Sequence, residues 1–127
     1  GHEVGSIEVE GRQIPVRLDA DGVLLVEFRA LCDGPRSQVD YMELARCYHS
    51  VLLSNVEQMG QATDDIARRF IAMVDEFYER RVKLIISAQV AMEQLYTQGQ
   101  LNFEFRRCLS RLQEMQSHDY LAEAHKP

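Results

Sequence analysis

Two short apolar runs on either side of one long amphipathic segment constrain this chain more than anything else in it. Ser50-Val51-Leu52-Leu53-Ser54 is bounded by polar residues and has the length of a buried strand. From Thr63 onward Ile66, Phe70, Met73, Val74, Phe77 and Tyr78 recur at intervals of three and four, which lines them up on one face of a helix. Thr63 stands in the capping position. Asp64-Asp65 sit at the positive end of the helix dipole and Arg80-Arg81 at the negative end. Val82-Lys83-Leu84-Ile85-Ile86-Ser87-Ala88 follows as a second run of strand length. A connection of this size is a crossover, which returns the chain to start the next strand parallel to the first. Residues 51–54 and 84–86 are therefore expected in one parallel sheet, and the fold class is α/β.

The segment before this unit reads differently. Ile7 to Glu10 alternates apolar and polar, Gly11 marks a turn, and Ile14, Val16 and Leu18 alternate again. Asp21-Gly22 is a hairpin signal, because both residues accept positive φ. Val23 to Phe28 is a third, more buried strand, so the first 28 residues read as an antiparallel meander. After the loop Asp33-Gly34-Pro35-Arg36, Ser37 with Asp40 three residues later forms a capping-box pattern. The helix that follows carries Tyr41, Leu44, Ala45 and Tyr48 on one side and runs to about His49. A short helix is expected near Val90–Tyr96. A further helix is expected from about Phe103 to Gln116, with Phe105, Cys108, Leu109, Leu112 and Met115 inward, and a frayed polar tail beyond Leu121. The expected division is a β meander over 1–30 and an α/β part over 31–127, forming one unit. Gly1-His2, without an initiator Met, reads as a cloning remnant, and the chain as an excised piece of a larger protein.

A formal net charge of −6 argues against general nucleic-acid binding, which needs a basic face to neutralise phosphates. Cys32, Cys47 and Cys108 are odd in number and widely spaced, unlike a disulfide framework or a zinc site, and read as reduced thiols in a cytosol-like compartment. His2, His49, His118 and His125 form no metal-binding pair, and no apolar run is long enough to cross a bilayer.

Candidate chemistry is sparse. The phosphate-loop pattern G-x-x-x-x-G-K-[ST] is absent, and no Gly precedes a Lys. Val74-Asp75-Glu76 after an apolar stretch resembles a Walker B strand, whose Asp holds magnesium and whose Glu polarises water. The helical spacing of its apolar residues favours an ordinary helix with exposed acids. Arg106, Arg107 and Arg111 lie on the polar side of the last helix, and Arg107 and Arg111, four apart, are neighbours there. Such arginines can grip phosphate, or they can form a solvated face with local pairs such as Glu104–Arg107 and Arg111–Glu114. Ser87, Ser110 and Cys108 belong to no nucleophile motif. Gly34-Pro35-Arg36 before a helix start could bind an anion or simply turn the chain.

Three stretches share a pattern: Gly22 to Tyr41 with Leu31-Cys-Asp-Gly-Pro-Arg-Ser-Gln-Val-Asp-Tyr41; Ala67-Arg-Arg-Phe-Ile-Ala-Met-Val-Asp-Glu-Phe-Tyr78 with Val82-Lys-Leu84; and Phe105-Arg-Arg-Cys-Leu-Ser-Arg-Leu-Gln-Glu-Met-Gln-Ser117. Together they resemble the C-terminal part of the ZapE-type, or Afg-type, P-loop ATPases of bacterial cell division. The resemblance implies an AAA-type nucleotide fold whose Walker motifs lie outside this chain. It implies ATP and Mg in the parent protein, with neither expected on this piece alone. It also implies action on FtsZ polymers, contact with the protein's own N-terminal nucleotide-binding half, and a cytoplasmic location at the division site on the inner face of the membrane. Arg107 or Arg111 is expected to act on nucleotide charge in cis or from a neighbour. The meander becomes an insertion or lid beside a larger sheet, and the severed sheet edge favours self-association. Two other readings stand beside this one: a stand-alone protein-interaction module without nucleotide chemistry, and a small enzyme using Asp75 and Glu76 as acid and base.

Overall fold

Residues 5–127 are described in a computed structural model of the chain, so the remnant expected at Gly1-His2 lies outside them. Glu10 and Gly11, both at positive φ, turn the antiparallel hairpin of β1 (Gly5–Val9) and β2 (Arg12–Val16). The chain leaves that ladder at Arg17 and continues as β3 (Leu18–Ala20), antiparallel to β4 (Val23–Glu27). The turn between them is the expected Asp21-Gly22, at φ 54° and 78°. A β-carbon on Gly22 would stand 2.5 Å from the His49 ring, so contact and conformation both call for glycine there.

Besides its antiparallel pairing with β3, β4 also joins the parallel sheet. Two helices, α1 (Phe28–Cys32) and α2 (Gln38–Cys47), carry the chain back to β5 (Ser50–Val56), which lies parallel to β4. A second crossover through α3 (Asp64–Glu79) leads to β6 (Lys83–Ala88), parallel to β5. The four-stranded sheet has the order β3-β4-β5-β6, and only the β1–β2 hairpin stands apart. The physical reason is in the side chains. Val23-Leu24-Leu25-Val26 is apolar on both faces, as a strand inside a covered sheet must be. The parallel pairing expected for residues 51–54 and 84–86 is present, with Val51 opposite Leu84 and Leu53 opposite Ile86.

Register places Leu24, Val51 and Leu84 in one row, and Val26, Leu53 and Ile86 in the next, on the same face. Leu24, Val26, Val51 and Leu53 are buried there. Consecutive crossovers of one hand lie on one side of a sheet, and α2 packs on α3 as this requires. α4 (Asn102–Glu114) packs on the far side of α3. Phe70 of α3 joins the layers, meeting Phe28 edge-on at 6.0 Å and stacking on Phe105 at 5.8 Å. Burying an aromatic ring of this kind contributes about 1.5–3 kcal/mol.

The hairpin is tied to α2. Val9, Ile14 and Val16 are buried, and Arg12 Nη1 donates to Asp40 Oδ2 at 2.7 Å. The same oxygen accepts the Ser37 backbone N–H at 2.7 Å, which is one half of the expected capping box.

Three local expectations change. Thr63 occupies the N-cap position of α3, but its hydroxyl takes the Gly60 N–H at 3.0 Å instead of a helix amide. Residues 90–96 form one 3-10 turn, Met92–Gln94, and no longer helix. Their backbone is used elsewhere: Met59 N–H donates to Leu95 O and Thr97 N–H to Met59 O, a bridge that a continuing helix would forbid. The tail beyond Leu121 is held. After α5 (His118–Ala122), Lys83 Nζ donates to Glu123 O at 2.7 Å, and Lys126 N–H to Arg80 O at 2.8 Å.

Candidate functional site on α4

α4 buries Phe105, Cys108 and Leu112 and turns its opposite side outward. Phe103, Arg106, Arg107 and Ser110 recur at three and four and share that outer side. Phe103 is 72% exposed, and no ion pair among the described residues involves Arg106 or Arg107. An exposed aromatic beside two arginines has the composition of interface hot spots.

Arg111 is turned the other way. Its Nη1 pairs with Asp75 Oδ1 of α3 at 2.5 Å, and its guanidinium lies 5.1 Å from the centre of the Tyr78 ring. Tyr78 in turn donates to Glu114 at 2.6 Å, and that bond holds its phenol above the ordinary range. The structure thus separates the two arginines that sequence spacing placed together. Arg111 is a clamp across the α3–α4 seam, and Arg107 faces solvent. The local pairs Glu104–Arg107 and Arg111–Glu114 are not formed among the described residues; α3 engages Arg111 through Asp75 and Glu114 through Tyr78.

The remaining candidates are engaged structurally. Val74-Asp75-Glu76 is helical within α3; Asp75 holds Arg111, and Glu76 accepts from Gln38 Nε2 at 2.7 Å. Arg36 folds back to donate to Ala30 O at 3.0 Å and to Pro35 O at 3.0 Å, so its loop satisfies its own carbonyls. Ser110 donates to Arg106 O within α4. Cys108 is buried, and desolvation pushes its thiol up to about 12. Sequence reasoning passed over Phe103; the signal was its phase, which lies opposite Phe105 and Leu112 on the helix. It also passed over the ends of β4 and β5. There Glu27 Oε1 accepts from Asn55 Nδ2 at 2.8 Å, and Arg29 grips Glu57 with two bonds of 2.6 and 2.7 Å.

Among the described residues no three His, Cys, Asp or Glu side chains converge on one point, and no glycine-rich loop opens a helix in the phosphate-loop manner. These residues do not themselves fit an ATP–Mg site. No helix among them is long and apolar enough to cross a membrane.

An antiparallel hairpin beside a mixed sheet with parallel crossovers, and an arginine-bearing helix at one flank, define the class: an α/β piece consistent with the P-loop ATPases. Sequence comparison gives the family. The description of the AFG1-like ATPases matches residues 2–124, and the chain belongs to that family. It is 48% identical over 120 residues to the cell division protein ZapE of Escherichia coli K12, covering 94% of this chain and 32% of that protein. It is 31% identical over 109 residues to lactation elevated protein 1 homolog B of Danio rerio, covering 86% of this chain and 22% of that one. The chain therefore spans about a third or less of the curated relatives it matches. No solved structure matches it.

Proposed function

We propose that residues 1–127 are the C-terminal, subunit- and partner-contacting part of an ATP hydrolase acting in bacterial cell division. In this reading ATP and Mg are held by the N-terminal nucleotide-binding half, outside residues 1–127, since the described residues offer no cradle for them. The observation that carries the reading is the outer side of α4 in a chain of the AFG1-like ATPase family: Phe103, Arg106 and Arg107 are exposed together while Arg111 anchors the helix behind them. An arginine's planar fork, always charged, suits phosphate oxygens in cis or across a subunit contact. Of Arg107 and Arg111, Arg107 is the one left available for that role. Arg111 supports it by fixing α4 against Asp75 and Tyr78. FtsZ polymers are the partner, homo-oligomers the working form, and the cytoplasmic side of the division site the location; the name of the bacterial relative supports the cell-division setting.

Steady-state ATP turnover by the full-length protein tests this, with nucleotide affinity measured in parallel. Arg107→Ala is expected to lower turnover about a thousandfold with affinity retained. Arg111→Ala is expected to lower stability by about 1–2 kcal/mol through loss of a half-buried ion pair and a cation–π contact. Unchanged turnover in both variants would remove the nucleotide role and leave the face as a protein-interaction surface.

A further inference from the structure

β6 ends the four-stranded sheet, yet its composition is that of a strand from the middle of one. Leu84 and Ile86 face the helices, and Ile85, 59% exposed, faces the other way, so the strand is apolar on both sides. Finished sheets blunt their edges with short strands and charges. The opposite edge does so: β3 has three residues, all exposed, with Asp19 at its centre. β6 has six residues, and the only charge on it, Lys83, is turned to the tail at Glu123 O.

The backbone says the same. Lys83 N–H is given to His49 O on the β5 side, so the alternation of a parallel ladder turns the N–H and C=O groups of Leu84 and Ile86 outward. Alongside them runs a cavity of about 180 Å³, in which Leu84, Ile86, Met92, Leu112 and Met115 supply apolar side chains and Gln116 a polar one. A free edge with a side-chain pocket beside it is how one strand receives another: main-chain bonds hold it, and pockets take alternate side chains.

We infer that the outer edge of β6 receives a β-strand from the part of the same full-length polypeptide that lies outside residues 1–127, and that apolar side chains of that strand fill the groove beside Leu84 and Ile86. This rests on the proposal that the chain is part of a longer ATPase. The length outside supports the occupant, since the 120 matched residues are 32% of the bacterial relative. A strand on the same polypeptide also meets β6 at far higher effective concentration than a second copy does.

The test is residue-resolved amide hydrogen exchange on the full-length protein, with ATP turnover recorded on the same preparation. Ile85 N–H faces β5 and serves as the internal control. The expected result is that Leu84 and Ile86 are protected roughly a hundredfold or more, like Ile85, at every protein concentration. Fast exchange at Leu84 and Ile86 with Ile85 protected overturns the inference. Protection that rises with protein concentration overturns it too, by assigning the edge to a second copy. Met92→Arg places a charge in the groove without altering β4, β5 or β6. It is expected to raise exchange at Leu84 and Ile86 at least about tenfold and leave Ile85 unchanged; no rise overturns the groove assignment. ATP turnover with an unprotected edge sinks this inference alone, whereas a protected edge without turnover sinks the ATPase proposal alone.

Discussion

Arg107 and Arg111 are one helical turn apart and have different surroundings, one in solvent and one between Asp75 and Tyr78. The sequence could place both on the polar side of α4 but not tell them apart, because the partner that captures Arg111 comes from α3, 36 residues away. Asp75 shows the same limit from the other side. Its helical spacing favoured a helix over a Walker B strand, yet nothing local pointed to an arginine. The cysteines were legible: all three are free. Cys32 and Cys108 are buried with thiols raised by desolvation. Cys47 is exposed, and its thiol is also raised, first by partial desolvation and then by its bond to Glu43. A raised thiol holds less thiolate at a given pH, and the thiolate is the nucleophile. Iodoacetamide is therefore expected to label Cys47 alone in the folded chain, with a rate that climbs with pH and inflects above that of a free thiol, about 8.5. Peptide mapping checks this; label on Cys32 or Cys108 without denaturant would contradict it.

Elements with a strong period were read correctly. α2, α3 and α4 bury the stripes that spacing assigned, with Tyr78 and Leu109 half-buried at the margins. Segments whose conformation depends on distant backbone were not. Residues 90–96 have helical composition, but Met59 N–H takes the Leu95 carbonyl. The C-terminal segment has polar composition, yet Tyr120 is 1% exposed, and its hydroxyl donates to Val82 O at 2.6 Å, with Phe77 O at 3.2 Å. Tyr120 also stacks on Tyr78 at 5.9 Å, with Arg81 close to both rings. Removing that hydroxyl leaves a buried carbonyl short of a donor. Tyr120→Phe is expected to lower stability by about 1–2 kcal/mol. Urea unfolding checks it; an unchanged midpoint would mean that α5 contributes packing alone.

At the scale of the molecule, the α/β class was carried by one strand–helix–strand unit, but the extent of the sheet was not. The crossover that begins at β4 was missed, since α1 at its start is only five residues long, too short to leave a periodic signal. Residues 5–127 isolated from the rest of the polypeptide leave β6 without the strand proposed for it, and such edges pair with one another. Sedimentation of the isolated span is expected to show dimers or larger species as concentration rises, whereas a monomer at every accessible concentration would argue for an edge that needs no neighbour. The order β3-β4-β5-β6 has a further consequence. Each strand lies beside the one translated just before it, so this sheet can grow cotranslationally, one crossover at a time, without waiting for a distant segment to emerge from the ribosome.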